Sequence, residues 1–246
     1  MEGVAAADAV IAAATSGQTA RELRDHFDGE NGSECYRAAL TWFCNQPEND
    51  NPMATKTLKE AMVNSMSSID RSSQLGCLTI IFDAVEGGGN PSSLDFVPAL
   101  VTNIGSEAAD VEEDDEEALT IETCTDFVID KICRLTWNSG VMLNALMMLH
   151  EFDLSKAQLP SILNKFLQSF SRADSLSVPA ICYNVLLLCR QGSKLLVARA
   201  LIFACEQLRA ASLKEQNLSY RKAFLQALGT VLLHIHFAVN QDQVYQ

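Results

Sequence analysis

Helical stretches divided by short breaks return at a nearly constant interval along the second half of this chain, and that interval limits what it can fold into. Apolar residues recur three and four apart in segments at about 118–136, 139–151, 155–170, 177–190, 193–211 and 217–239. That spacing gathers them on one face of a helix. Pairs of these segments open at Ser139, Ser177 and Asn217, intervals of 38 and 40 residues. A helix pair that repeats near 40 residues is the period of HEAT and armadillo arrays, in which each pair buries its apolar face on the next.

The breaks carry turn chemistry: Asn138-Ser139-Gly140, Asp153, Ser171 to Ser177, and Gln191-Gly192-Ser193. Ser155 and Gln158 have capping-box spacing, and Ser177 precedes Pro179, which suits a first helical turn. Pro160, one turn into its segment, predicts a bend or early irregularity. Runs such as Val141, Leu143, Leu146 and Met147 are apolar on more than one side, as helices sandwiched between neighbours must be. Aromatic residues make up only 7% of the chain, too few for the enrichment that strands show. The expected fold is all-α, an α-solenoid of antiparallel helix pairs, HEAT/armadillo-like.

Upstream the pattern is less regular. Residues 1–15 read as a helix end or frayed segment, followed by helices from Thr19 to Phe27 and from a Ser33 cap to Cys44. Segments 54–67 and 72–85 read as one antiparallel pair. Gly87-Gly88-Gly89-Asn90-Pro91 then ends a helix, and Ser92 or Ser93 caps another over 94–104. Between Ser106 and Glu117 eight of twelve residues are acidic, a run that self-repulsion keeps solvated. The expected organisation is helix pairs over 1–105, an acidic loop over 106–117, and a regular solenoid over 118–246, truncated at its C-terminal end.

Charge divides along the same line. Residues 1–123 hold 6 basic and 23 acidic side chains, a net of −17, whereas 124–246 hold 12 and 8, a net of +4. The second half contains the basic set Arg190, Lys194, Arg199, Arg209, Lys214, Arg221 and Lys222, with only Glu206 and Glu215 among them. Cations in the connecting loops and at helix ends of a solenoid suit phosphate contacts. They are the candidate DNA-phosphate residues.

Reactive constellations are missing from the sequence. His26, His150, His234 and His236 form no zinc-protease pattern, and no phosphate-binding or dinucleotide glycine fingerprint occurs. His234 and His236, two apart on a helix, point to different faces. None of the eight cysteines forms a Cys-x-x-Cys pair, and most stand among apolar neighbours, as small buried hydrophobes do. A cysteine hydrolase would need one of them exposed and activated. Met142, Met147 and Met148 read as core filling rather than an apolar groove. No catalytic residue, metal ligand, cofactor or small-molecule substrate is expected. The longest nearly uncharged stretch, 223–239, is 17 residues, short of the roughly 20 that span a bilayer.

The stretches Gly229-Thr-Val-Leu-Leu-His-Ile-His-Phe-Ala-Val-Asn240 and Val178-Pro-Ala-Ile-Cys-Tyr-Asn-Val-Leu-Leu-Leu-Cys-Arg-Gln-Gly-Ser193 resemble the N-terminal solenoid of the Fanconi anaemia group I family. Trp137 to Phe166 and Ser93-Leu-Asp-Phe-Val-Pro-Ala-Leu100 resemble it in order and spacing, so the likeness covers about 90–246, with 1–89 fitting loosely. The resemblance implies a nuclear scaffold that pairs with a paralogous group D subunit and clamps double-stranded or branched DNA in interstrand crosslink repair. It also implies a chain longer than this one, with the ubiquitin-accepting lysine beyond Gln246. A generic HEAT-like protein-protein adaptor with no DNA role is the alternative. A fragment of a solenoid leaves the apolar face of its last helix without the polar cap of a terminal repeat. The isolated chain is therefore expected to aggregate and bind a hydrophobic dye; a soluble monomer with low dye binding would contradict this.

Overall fold

The computed structural model describes residues 2–29, 31–46, 52–108, 120–155, 158–174 and 176–190, together with eleven positions further on. Those eleven, from Ala198 to Leu233, are all helical. Among the described residues there are ten α-helices and no strand: α1 Glu2–Thr15, α2 Ala20–Arg24, α3 Gly32–Asn45, α4 Pro52–Asn64, α5 Arg71–Glu86, α6 Val97–Ala108, α7 Ile121–Arg134, α8 Ser139–Leu149, α9 Gln158–Ser169 and α10 Val178–Arg190. Short 3₁₀ turns occupy Met66–Ser68, Pro91–Phe96 and Phe170–Arg172. The fold is the expected all-α solenoid. It divides into two compact units, residues 1–135 and 136–246, so α7 packs with the helices that precede the acidic run.

In the first unit α3 is the central helix. Its buried residues Cys35, Tyr36, Ala39, Leu40, Phe43 and Cys44 recur at helical spacing and face α1 on one side and α5 on the other. Phe27 meets Tyr36 edge-on at 5.4 Å, and Phe43 meets Phe96 at 5.2 Å. Residues 2–15 form a packed helix rather than a frayed segment: α1 lies on α3 and α4, with Val10 and Ala14 buried. The expected pairing of 54–67 with 72–85 does not form the main contact. The link from Ser65 to Asp70 buries Met66 and Ile69 and delivers α5 to α3 and α6, while α4 packs on α1 and α2. Helices two apart in sequence thus lie side by side, the arrangement that stacks one repeat on the next.

Bonds at both ends align α3 with α5. At their starts Asp70 N–H donates to the Ser33 hydroxyl at 3.3 Å, and the Asp70 carboxylate caps α5 by accepting from Ser73 N–H at 2.9 Å. At their far ends Asn90 N–H donates to Cys44 O at 2.7 Å. Ser33 therefore does not cap α3; Asn31 precedes that helix, and the serine hydroxyl is engaged with the neighbouring repeat. Ser92 and Ser93 likewise do not cap the next element. The Asn90 side chain accepts from Ser92 N–H at 3.0 Å, and a 3₁₀ turn intervenes before α6.

In the second unit α8 and α10 pack together and α9 packs on α10. Trp137, Met142, Leu146, Phe166 and Ile181 are buried, and Phe166, Phe170 and Phe203 form a mutually edge-on cluster. The Ser155–Gln158 capping box is present in both directions, at 2.7 and 3.3 Å. Pro160 falls in the first turn of α9; residues 156 and 157, where its irregularity would lie, are outside the described residues. Ahead of α10 the Asp174 carboxylate receives Leu176 N–H, Ser177 N–H and the Ser177 hydroxyl at 3.0, 2.9 and 2.8 Å.

Two glycines are fixed by close approach. A Cβ on Gly32 would stand 1.9 Å from Phe27 O, and one on Gly89 would stand 2.5 Å from Cys44 O. Neither clash can be relieved by a side-chain rotation, because the obstructing atoms are backbone. Gly32→Ala is expected to cost about 1–3 kcal/mol, the range for overpacking, whereas Gly29→Ala, with nothing within 4 Å, should shift stability by under about 0.5 kcal/mol. Thermal unfolding of the two variants checks this contrast.

Candidate functional site

The basic set is the surface to be located first. Arg190 ends α10, and Arg199 and Lys222 occupy exposed helical positions. Lys194, Arg209, Lys214 and Arg221 lie outside the described residues, as do the acidic residues from Asp110 to Glu117. The Arg199 and Lys222 side chains are in solvent, as phosphate contacts require. Glu107 belongs to the last turn of α6, so that helix extends beyond Ile104 into the start of the acidic run.

Reactive side chains are held in states that suit packing. Among the described cysteines, Cys35, Cys44, Cys77, Cys124 and Cys182 are buried and Cys133 is half-buried, and none is in a disulfide. Burial pushes the Cys44 thiol up to about 11 and the Cys77 and Cys182 thiols up to about 12. At neutral pH these groups are thiols rather than thiolates, and it is the thiolate that attacks an electrophile. His26 is exposed, while His150 closes α8 half-buried. Burial holds the His150 imidazole below its usual value, partly offset by Asn184. His234 and His236 are outside the described residues. Among the described residues, no three His, Cys, Asp or Glu side chains converge as metal ligands would.

The methionines divide: Met142 and Met148 are core residues, whereas Met147 is 48% exposed. The three-glycine segment at 87–89 is a turn. Gly88 adopts φ +87°, and Gly89 admits the Cys44 carbonyl. Sequence reasoning missed the polar ties between repeats. Lys59 pairs with Asp95 at 2.5 Å, and Asp174 N–H donates to the Ser139 hydroxyl at 2.7 Å. The local signal for the aspartates was an Asp-x-x-Ser step, at Asp70 to Ser73 and Asp174 to Ser177.

Stacked helices with buried thiols define an all-α solenoid. Residues 51–240 match the family described as FANCI solenoid 1, and the chain belongs to that family. The matched segment begins at residue 51, so residues 51–89 fall within it as well as those from 90 onward. The chain is similar to the Fanconi anemia group I protein of Gallus gallus, 27% identical over 177 residues, which is 67% of this chain and 13% of that protein. It is also similar to the Fanconi anemia group I protein homolog of Mus musculus, 24% identical over 161 residues, 62% of this chain and 12% of that protein. The chain thus matches about an eighth of the length of these relatives. Among the described residues, no helix is long and apolar enough to cross a membrane.

Thiol accessibility should follow burial. Timed alkylation of the native chain, read by peptide mass spectrometry, is expected to label Cys133 well before Cys44, Cys77 or Cys182; fast labelling of any of these three would contradict the packing described.

Proposed function

We propose that the chain is a non-enzymatic scaffold segment of a Fanconi anaemia group I-type protein, which pairs with its paralogous group D partner and clamps DNA during interstrand crosslink repair in the nucleus. The observation that carries this reading is the family match across residues 51–240, which includes helices of both compact units. Charge supports the DNA part: residues 124–246 carry a net +4 in a chain of net −13, and Arg199 and Lys222 are exposed on helices. Contacts of this kind attract any duplex through its phosphates, without reading bases.

The proposal makes DNA binding salt-dependent. Fluorescence anisotropy with duplex and branched DNA should show affinity falling as salt rises. The Arg190→Glu, Lys194→Glu, Arg199→Glu variant should bind at least tenfold more weakly, with a log–log salt slope shallower by about 3, as expected when three phosphate contacts are lost. Binding that is absent, insensitive to salt or unchanged in the variant would remove the DNA role for this cluster. The chain would then read as a protein-binding HEAT-like adaptor.

A further inference from the structure

Two polar ties in different parts of the chain have the same construction. Ser33 stands in the first turn of α3, and its hydroxyl accepts from the N–H of Asp70, the residue that caps α5. Ser139 opens α8, and its hydroxyl accepts from the N–H of Asp174, whose carboxylate engages the backbone leading into α10. Each serine hydroxyl also bonds the carboxylate of its aspartate. The partners are 37 and 35 residues apart, and in both cases they join helices two places apart that pack side by side. A third tie, Lys59 with Asp95, spans 36 residues.

We propose that the Ser33–Asp70 and Ser139–Asp174 clasps are one device used twice, a latch that couples the opening of each helix to that of its counterpart one repeat away. An apolar stripe tolerates small sliding and rotation of one helix on another, because dispersion is not directional. A hydroxyl that binds the N–H and the carboxylate of the same residue does not. The latch lies at the helix starts, where the first N–H groups have no partner within their own helix. Asp70 fills that need for α5 by accepting from Ser73 N–H, and Asp174 fixes the turn that leads into α10 by accepting from Leu176 and Ser177 N–H. The residue that shapes each helix start is thus also the one engaged by the preceding repeat. The serine hydroxyl is the first cause holding each aspartate carboxyl down at about 2, from 3.8. The clasp is thus made to the ionised form, which is also the better cap. The latch does not depend on the scaffold reading given above, and DNA binding does not enter its test.

The test is a pair of double-mutant cycles on the full chain, Ser33→Ala with Asp70→Ala and Ser139→Ala with Asp174→Ala, followed by thermal unfolding. Each single change is expected to lower the melting temperature by roughly 2–4 °C, and each double change to lower it by less than the sum of its singles, since both substitutions remove the hydroxyl–carboxylate bond, the aspartate N–H being backbone and retained in every variant. Strict additivity in both cycles would overturn the latch, leaving the aspartates as caps alone. Hydrogen exchange supplies a second measurement that keeps every aspartate in place. In Ser139→Ala, exchange of the Asp174 amide and of the first turn of α10 should accelerate several-fold, and unchanged exchange there would also overturn it.

Discussion

The central helix of the first unit has to cover an apolar stripe wider than one neighbour can bury, and the helices that meet the need are those two places away on either side. α3 illustrates the constraint. Tyr36, Leu40 and Phe43 are each at most 1% exposed, which requires α1 on one side and α5 on the other. Removing these three large side chains from water, at about 1.5–3 kcal/mol apiece, outweighs any single polar contact described above. The close glycine approaches, the edge-on aromatic pairs and the 3₁₀ link that delivers α5 all follow from bringing those stripes together.

Directional bonds then select one packing from the several that apolar stripes allow. Ser33–Asp70 and Asn90–Cys44 bind opposite ends of α3 and α5, so the two helices run parallel and in register. That geometry buries Cys35 and Cys44 of α3 and Cys77 of α5.

Much of the helix content was legible in the sequence because apolar periodicity and turn residues are local signals. The Ser155–Gln158 box and the breaks at Asn138 and Gly87 were legible for that reason, and the quoted runs carried the family likeness. What escaped was non-local. Segments 54–67 and 72–85 read as a pair because a short link usually joins packed neighbours, but Met66 and Ile69 in that link are themselves buried. Ser33 read as a cap because serine before an apolar run usually is one; its partner lies 37 residues away. The serine–aspartate ties escaped because each joins two residues 37 or 35 apart, of which only the Asp-x-x-Ser half is a contiguous signal. Of the candidate phosphate contacts, Arg199 and Lys222 are exposed on helices.

The central claim is that α3 is joined to α5, rather than α4 to α5, as a cooperative unit. Native-state hydrogen exchange in low denaturant measures this directly, because helices that form one unit lose protection together. The account predicts that the inward faces of α3 and α5 open with the same free energy and the same denaturant dependence. Joint opening of α4 and α5 while α3 keeps its protection would contradict it.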